Sequence, residues 1–188
     1  MFPVAITCGN TFVMKPSERV GTTMELLIDL LDKAGVPKGV VNVVNGGKET
    51  VTDICQHKDI KAISFVGSNV AGEYIYTEGS KHGKRVQSNM GAKNHCIVLP
   101  DADKEDTLNA LTGATFGSTG QRCMALAVVV LVGDAQQWVP DLVAKARSLK
   151  IGPGHDETVD IAPLNSPEAL KKVEKLIESG AKGGEILL

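Results

Sequence analysis

AISFVGSNVAGEYIYTEG, at residues 62–79, joins a short apolar segment to a longer mixed segment through Gly67-Ser68. The apolar residues Ala62 to Val66 predict a buried strand, and the residues from Val70 to Thr77 predict a helix that ends near Gly79. A strand that leads through a tight turn into a helix is half of a βαβ unit, in which parallel strands are covered by helices. This stretch therefore predicts an α/β fold with a Rossmann-like parallel sheet.

The same alternation of strands and helices extends to both sides of this stretch. The most distinct helix carries a capping box from Thr22 to Glu25, followed by leucines at helical spacing and by Gly35 at its end. The other predicted elements of this region are strands at Thr11 to Met14, Val40 to Val44 and Arg85 to Ser88, and a helix at Glu49 to Cys55. We therefore predict a first domain over residues 1–91, which ends near Gly91.

From Asn94 onward the sequence predicts the start of a second α/β domain, over residues 92–188. Its predicted elements are strands at His95 to Leu99 and Leu126 to Val132, and helices at Asp103 to Ala114, Gln136 to Leu149 and Ser166 to Glu178. Ser166 is the expected N-cap of the last helix, with Pro167 in its first turn and Gly180 beyond its end.

Neither end of the chain has the pattern of a natural terminus. Met1 to Ile6 lacks the basic segment and the cleavage site of a secretory signal. The last residues, Ile186 to Leu188, begin an apolar run with no turn after it, which predicts a strand cut short. We therefore expect both ends to lie within a longer chain, of which this is a truncated part.

The composition excludes several classes of protein. Hydrophobic residues make up 43% of the chain and charged residues 22%, as in an ordinary soluble globular protein. Because 20 Lys and Arg nearly balance 22 Asp and Glu, no broad field attracts nucleic acid or a membrane surface. The longest apolar run, Leu126 to Val132, is far shorter than the roughly 20 residues that cross a bilayer.

The cysteines follow no metal-ligand or disulfide spacing, so the sequence predicts no metal site and favours a reducing compartment. They are Cys8, Cys55, Cys96 and Cys123. Cys123 differs from the others because it ends the glycine-punctuated loop that begins at Gly117 and lies next to Arg122. An electropositive, polar loop favours a reactive thiolate, although a lone cysteine is more often a small buried residue. On the chemistry alone both interpretations stay open.

Two turns at the carboxyl ends of predicted strands have the chemistry of a nucleotide site. In the segment Lys15-Pro16-Ser17-Glu18-Arg19, a cation and a carboxylate could hold ribose hydroxyls; a charged, solvated loop is the simpler interpretation. Phe65-Val66-Gly67-Ser68 opens a helix whose free N–H groups suit a pyrophosphate, whereas Ser68 could also be only an N-cap. The glycine spacing of the usual dinucleotide fingerprint is absent.

Four motifs, in this order, resemble the aldehyde dehydrogenase superfamily: Lys15-Pro16-Ser17-Glu18, Phe65-Val66-Gly67-Ser68, Gly91-Ala92-Lys93-Asn94 and Gly120-Gln121-Arg122-Cys123. The longer runs Asn89 to His95 and Phe116 to Leu126 are similar to the coenzyme A-acylating methylmalonate-semialdehyde dehydrogenase subfamily. The resemblance covers essentially all 188 residues. It implies that residues 1–91 are the C-terminal part of an NAD-binding domain and residues 92–188 the N-terminal part of a catalytic domain.

The resemblance also implies roles for individual positions. Cys123 matches the family nucleophile, and Arg122 beside it is suited to pair with a substrate carboxylate. The implied cofactor-binding residues are Lys15 and Glu18 at the adenosine ribose, Arg19 against the cofactor, Ser68 at the pyrophosphate, and Met90, whose backbone approaches the nicotinamide amide.

At Asn89 the sequence departs from the hydrolytic members of the family. Those members carry a glutamate there, followed by Leu-Gly-Gly where this chain has Met90-Gly91-Ala92. An amide cannot act as the general base that activates water. The resemblance therefore implies that coenzyme A, rather than water, takes the acyl group from Cys123.

The implied reaction converts a semialdehyde, coenzyme A and NAD to propionyl-coenzyme A or acetyl-coenzyme A, carbon dioxide and NADH, as in valine and pyrimidine catabolism. The resemblance implies a homo-oligomer, a tetramer, in the mitochondrial matrix of a eukaryote or the cytoplasm of a bacterium. It also implies an oxyanion-hole asparagine upstream of Met1 and a ribose-binding glutamate beyond Leu188, so we expect the isolated chain to be inactive. Two alternatives stay open here: a hydrolytic aldehyde dehydrogenase, and a non-catalytic nucleotide-binding module derived from one.

Overall fold

Strands and helices alternate along the computed structural model, which describes residues 1–188. The chain divides into two units, Met1–Gly91 and Ala92–Leu188. Each strand pairs in parallel with one neighbour, so the chain contains three two-stranded parallel sheets. Parallel strands connected through helices confirm the predicted α/β, Rossmann-like class.

The first unit contains four helices and four strands. In chain order they are α1 (Phe2–Thr7), β1 (Phe12–Met14), α2 (Gly21–Lys33), β2 (Val41–Val43), α3 (Lys48–Gln56), β3 (Ala62–Val66), α4 (Asn69–Lys81) and β4 (Arg85–Asn89). Helix α1 was not predicted from the sequence. The remaining elements confirm the predicted ones, with small shifts at their ends.

Strands β3 and β4 end side by side. Their register runs from Ala62 opposite Arg85 to Val66 opposite Asn89. After β3 the chain turns through Gly67 and enters α4, whose N-cap is Ser68 as the sequence predicts. Ligands of open α/β sheets bind at such carboxyl ends, so the fold places two of the implied site segments next to each other.

Helix α2 begins earlier than its capping box predicts. It starts at Gly21, after Val20, and no side chain caps its first turn, so the predicted box between Thr22 and Glu25 is wrong. Thr22 already lies within the helix and therefore cannot serve as the residue that precedes it. The predicted end is confirmed, because Gly35 has a φ of +84° and ends the helix in a left-handed turn.

The core of the first unit lies between α3 and α4. The side chain of Cys55 is 1% exposed and that of Ile75 4%. The two helices are also linked by a hydrogen bond of 2.8 Å between the hydroxyl oxygens of Thr52 and Tyr74. The helix that follows the Gly67 turn is thereby anchored along its inner face.

The second unit contains β5 (Asn94–Val98), α5 (Lys104–Phe116), β6 (Leu126–Leu131), α6 (Val139–Ser148) and α7 (Pro167–Gly180). The predicted helix from Gln136 to Leu149 is wrong in its first part, because Gly133–Trp138 forms a 3₁₀ helix and α6 begins only at Val139. Pro140 explains the difference. It has no N–H to continue an α-helix from Gln136, whereas it fits the first turn of α6.

The core of the second unit joins β5, α5 and the 3₁₀ helix. Val98, Leu111 and Ala135 are at most 3% exposed and form one cluster. Asp103 caps α5 by accepting a hydrogen bond of 2.9 Å from the N–H of Asp106. This anchored helix ends at Phe116, and the loop that precedes β6 follows directly.

The last helix confirms one sequence prediction, and the residues after it overturn another. Ser166 caps α7 by accepting a hydrogen bond of 3.1 Å from the N–H of Ala169, whereas Gly180 is the last residue of the helix rather than beyond it. The strand predicted at Ile186 to Leu188 is wrong, because a strand needs a paired neighbour and these residues pair with none. None of the helices is long and apolar enough to cross a membrane.

Candidate active site

Two backbone carbonyls fix the side chain of Lys15, which follows β1. The Nζ of Lys15 donates to the carbonyl oxygens of Pro16 and Gly46, both at 2.6 Å. Its side chain is 16% exposed and lies 3.7 Å from the Oε2 of Glu18, whose side chain is 64% exposed. A hydrogen bond from its own backbone N–H and the nearby Lys15 cation hold the pKa of Glu18 below its usual value. The loop thus presents a fixed cation beside an exposed carboxylate.

Arg19 follows this pair on the surface. Its backbone N–H donates to the Oγ of Ser17 at 3.3 Å, and its guanidinium, which makes no hydrogen bond within the chain, is exposed. The side chain that the resemblance places against a cofactor is therefore free to bind a ligand.

The turn after β3 directs N–H groups outward. The Oγ of Ser68 accepts from the N–H of Ala71 at 3.3 Å, which leaves the first N–H groups of α4, at Asn69 and Val70, without an intrahelical partner. The N–H of Gly67 donates to the carbonyl of Asn89 at 3.1 Å, which holds the turn against β4. An N-terminus of this kind attracts an anion.

The end of β4 is fastened to the first turns of α4. The Oδ1 of Asn69 accepts from the N–H of Gly91 at 2.8 Å, and the Oγ of Ser88 donates to the carbonyl of Gly72 at 3.0 Å. The side chain of Met90 covers Gly72, so a Cβ at that glycine would overlap it. Met90 itself is 42% exposed. The backbone around Met90 is therefore fixed relative to the helix start.

Asn89, between these fastened residues, has a free side chain. Its carbonyl accepts the hydrogen bond from Gly67, whereas its side-chain amide is exposed and has no hydrogen-bond partner in the chain. The amide is therefore not needed to hold the strand end.

The loop before β6 has an unusual backbone. Ser118 and Thr119 have φ values of 52° and 55°, in the left-handed region that non-glycine residues rarely occupy. Gly120 continues this conformation with a φ of 67°, and a Cβ there would lie 2.8 Å from the carbonyl oxygen of Thr115. A glycine is thus required at position 120, two residues before Arg122.

Arg122 is directed at the end of α5. Its Nη2 donates to the carbonyl oxygens of Gly113 and Ala114, at 2.8 and 3.2 Å. These carbonyls belong to the last turn of the helix, where the partial negative charge of the helix dipole favours a cation. The arginine therefore ties the loop to α5. Its guanidinium has further N–H groups, so the implied pairing with a substrate carboxylate stays a prediction.

Cys123 follows at the corner of a turn. The N–H of Ala125 donates to the carbonyl of Arg122 at 3.0 Å, which closes the turn around Cys123 and Met124. The Nδ2 of Asn94 donates to the carbonyls of Cys123 and Ala125, at 2.7 and 2.9 Å. This contact of Asn94 could not be predicted from the sequence, because 29 residues separate Asn94 from Cys123 and only the pairing of β5 with β6 brings them together.

Exposure distinguishes Cys123 from two of the other cysteines. Cys55 is buried, and this burial raises the pKa of its thiol, while Cys96 is half-buried. Cys8 is exposed like Cys123. Exposure alone therefore does not single out the candidate nucleophile; the loop around it does.

The whole of the chain, residues 1–188, matches the profile of the aldehyde dehydrogenase family. The chain belongs to this family. The fold and the order of its four motifs are thereby those of an aldehyde dehydrogenase, which confirms the resemblance seen in the sequence.

Curated relatives carry a more specific name. The human and rat mitochondrial proteins named acylating methylmalonate-semialdehyde/malonate-semialdehyde dehydrogenase are each 57% identical over 188 residues, which are 100% of this chain and 35% of theirs. A Drosophila melanogaster protein named as a probable enzyme of this type is also 57% identical, and the chain covers 36% of its length. The chain thus spans about a third of the length of these relatives.

Solved structures of aldehyde dehydrogenases have the same fold. One is a putative methylmalonate-semialdehyde dehydrogenase from Sinorhizobium meliloti 1021 in complex with NAD; it is 47% identical, with a TM-score of 0.92 over 98% of this chain and 38% of that one. Another is methylmalonate-semialdehyde dehydrogenase from Oceanimonas doudoroffii; it is 48% identical, with a TM-score of 0.91 over 100% of this chain and 39% of that one.

Proposed function

We propose that this chain is part of an NAD-dependent, coenzyme A-acylating methylmalonate/malonate-semialdehyde dehydrogenase in which Cys123 is the nucleophile. The observation that carries the proposal is the exposed Cys123 at the corner of a turn whose backbone is held on both sides, by Arg122 and by Asn94. The names of the curated relatives support the same activity.

The first unit has groups that fit NAD. The cation of Lys15 and the carboxylate of Glu18 offer a donor and an acceptor to ribose hydroxyls, with Arg19 exposed beside them. The start of α4 at Ser68 offers free N–H groups to a pyrophosphate. The fixed backbone at Met90 offers polar groups to an amide. We therefore propose residues 1–91 as part of the NAD-binding domain and residues 92–188 as part of the catalytic domain.

The proposed reaction uses Cys123 twice. Its thiolate attacks the aldehyde carbon, and the new carbon–sulfur bond gives a thiohemiacetal. The thiohemiacetal carbon then loses a hydride, for which NAD would be the acceptor, while its hydroxyl loses a proton and the carbon–oxygen double bond re-forms, which gives a thioester on Cys123. The thiol of coenzyme A then attacks the thioester carbon after losing its proton, and the Cys123 thiolate leaves. The guanidinium of Arg122 would pair with the carboxylate of the semialdehyde. This carboxylate is lost from the thioester as carbon dioxide, the electron pair of the broken carbon–carbon bond passes into the thioester as an enolate, and the α-carbon then takes up a proton.

Asn89 supports coenzyme A rather than water as the acceptor. Activation of water needs a general base, and an amide at this position cannot take a proton. The Asn89 side chain is exposed and makes no hydrogen bond in the chain, so a structural role does not explain why this position holds an amide. Propionyl-coenzyme A from methylmalonate semialdehyde and acetyl-coenzyme A from malonate semialdehyde are the expected products.

Other properties of the whole protein belong to the same proposal. We infer a homo-oligomer, a tetramer as the resemblance implies, in the mitochondrial matrix if the source is a eukaryote and in the cytoplasm if it is a bacterium. The relatives named mitochondrial support the first case. Exposed apolar residues on β5 and β6, such as Ile97 and Val130, support further packing in a longer protein, since parallel sheets are normally covered on both faces.

An assay of the full-length protein tests the proposed function. NADH formation is measured with methylmalonate and malonate semialdehydes, with and without coenzyme A, and products are separated by chromatography. We expect NADH and acyl-coenzyme A in equal amounts, with little turnover in the absence of coenzyme A. Free acid as the main product would favour a hydrolytic enzyme, and absence of NADH under all conditions would favour a non-catalytic module.

Asn89→Glu tests the choice of acceptor. The introduced carboxylate supplies a group able to activate water, so the ratio of free acid to acyl-coenzyme A should rise by about tenfold even if turnover falls. Asn109→Asp, which places a carboxylate on α5 of the other unit, is the matched control and should leave the ratio unchanged. A well-folded Asn89→Glu protein with the wild-type product ratio would show that the missing base does not direct the reaction.

A further inference from the structure

We propose that Asn94 is a positioning residue for Cys123: its side-chain amide fixes the turn on which the thiol stands and so sets the direction of nucleophilic attack. The inference rests on the proposed role of Cys123 as the nucleophile. It concerns a contact within the second unit alone, between the first residue of β5 and the turn that leads into β6.

One nitrogen atom makes both of the bonds that matter. The Nδ2 of Asn94 donates to the carbonyls of Cys123 at 2.7 Å and of Ala125 at 2.9 Å. Two carbonyl acceptors require the NH₂ group, so the orientation of the amide is settled by its partners. The exposed Cys123 is thereby linked to Ala125, which is 6% exposed.

The position of Asn94 follows from the sheet. Asn94 lies opposite Leu126, and the register between β5 and β6 shifts between Asn94 and His95. This irregularity separates Asn94 from the regular ladder, and its side chain crosses to the adjoining turn. A residue at the first position of a regular strand would instead direct its side chain to one face of the sheet.

The other contacts of the turn leave the orientation of the Cys123 peptide to Asn94. Arg122 is tied to α5, and the N–H of Ala125 closes the turn on the carbonyl of Arg122. Neither bond involves the polar atoms of Cys123 or Met124, and Met124 is 80% exposed. Without the amide, the peptide that follows Cys123 can rotate, and the Cα–Cβ bond that carries the thiol moves with it.

A small displacement matters because the thiolate must approach the aldehyde carbon along a narrow direction. Misplacing a reacting group by about 1 Å costs on the order of 10²-fold in rate. Asn94 makes no hydrogen bond to the sulfur, so its loss should lower turnover without removing the reactivity of the thiol. This combination separates a positioning residue from one that activates the thiol.

The test uses Asn94→Asp and Asn94→Ala in the full-length protein. An aspartate has nearly the shape of asparagine but directs acceptor oxygens at two carbonyls, and alanine removes the group. Asn109→Ala is the matched control, because Asn109 is an exposed asparagine of the same unit that bonds only to Glu105 and Lys145. The readouts are kcat, KM for NAD, and iodoacetamide labelling of each cysteine by mass spectrometry.

We expect kcat of both Asn94 variants to fall by roughly 10- to 100-fold while KM for NAD stays within about twofold. Labelling of Cys123 relative to the exposed Cys8 should stay within about threefold, and the buried Cys55 should stay protected. The Asn109→Ala protein should match wild type in every readout.

Three results would overturn the proposal. One is wild-type kcat in either Asn94 variant. The second is loss of Cys123 labelling in parallel with kcat, which would make Asn94 an activating residue. The third is labelling of Cys55 in both variants, which would make Asn94 a support of the whole fold. An inactive wild-type protein would instead contradict the proposed function, so the two failures are distinguishable.

Discussion

The Ser68 turn of the first unit and the Cys123 loop of the second both present functional groups at the start of a new element, but they are built differently. The Ser68 turn uses an ordinary extended residue, with φ −71° and ψ 154°, and its cap reaches only to Ala71. The Cys123 loop uses consecutive left-handed residues and depends on Asn94, 29 residues away. Local sequence is sufficient for the first, whereas the second requires the folded unit around it.

Hydrogen bonds within the Cys123 loop offset the free-energy cost of its left-handed backbone. A left-handed non-glycine residue costs on the order of 1 kcal/mol, and Ser118 and Thr119 are two of them. The N–H of Gln121 donates to the carbonyl of Ser118 at 3.0 Å, and its side chain donates to the Oγ1 of Thr119 at 2.9 Å. Hydrogen bonds of this kind contribute about 1 kcal/mol each, which offsets most of the cost.

The largest expected effect concerns the nucleophile of the Cys123 loop. Cys123→Ser should lower NADH formation by about 10³-fold or more, because a serine hydroxyl in this loop has no base to activate it. NAD affinity, measured by fluorescence titration, should stay within about twofold, since the proposed cofactor residues belong to the first unit. Cys8→Ser, which removes the other exposed cysteine, should keep full turnover. Substantial activity in the Cys123→Ser protein would remove Cys123 from the mechanism.

The next effect concerns the fastened end of β4. Gly72→Ala introduces a Cβ that overlaps Met90 and lies 2.8 Å from the Oγ of Ser88, so it should cost about 1–3 kcal/mol of stability and weaken NAD binding by more than about tenfold. Gly113→Ala is the control. Apart from its chain neighbours and the backbone of its own helix, no atom lies within 4 Å of a Cβ at this position, and alanine there should stabilise by roughly 0.5–1 kcal/mol.

Chemical denaturation and NAD titration measure both glycine variants. If Gly72→Ala is as stable as wild type and binds NAD equally well, Met90 moves aside without consequence. The close approach would then have no part in holding the strand end.

The difference between the two regions also explains what the sequence could predict. The strand, turn and helix from Ala62 onward follow from apolar patterning and an N-cap, so Ser68 could be placed correctly. The contact of Asn94 and the direction of Arg122 depend on the pairing of β5 with β6 and on where α5 ends. Neither leaves a mark in the local sequence.

The wrong predictions have the same physical origin. The capping box at Thr22 fits a helix that begins later than α2, which starts at Gly21. The sequence pattern is compatible with both starting residues and does not decide between them. The prediction of a helix from Gln136 did not take account of Pro140, whose missing N–H excludes it from the interior of an α-helix. The strand at Ile186 depended on a neighbour that this chain does not supply.

Lys15→Ala tests the cofactor side with a smaller effect. Loss of the cation should weaken NAD binding about tenfold, the expectation for one charge-assisted hydrogen bond. Iodoacetamide labelling of Cys123 should be unchanged, because the two residues belong to different units. Lys38→Ala, at an exposed lysine without hydrogen bonds, should bind NAD like wild type. Equal affinity of the Lys15 and Lys38 variants would exclude Lys15 from the site.

The smallest expected effect concerns the surface that holds α5, the helix to which Arg122 is tied. The Nζ of Lys145 on α6 lies 2.9 Å from the Oε1 of Glu105 on α5, and this hydrogen bond holds the pKa of Glu105 below its usual 4.5. A carboxyl group whose pKa is lower in the folded state stabilises the fold above pH 4.5, and this contribution is lost as the pH falls through the lowered pKa.

Lys145→Ala should therefore raise the pKa of Glu105, measured by NMR titration. It should lower stability slightly at neutral pH, with the difference from wild type shrinking in acid. Turnover should not change, because the two hydrogen bonds of Arg122 to α5 do not involve Lys145. If turnover instead falls with the loss of this exposed pair, the Cys123 loop depends on the surface of α5 as well as on its last carbonyls, and the loop is more sensitive to its surroundings than the comparison with the Ser68 turn implies.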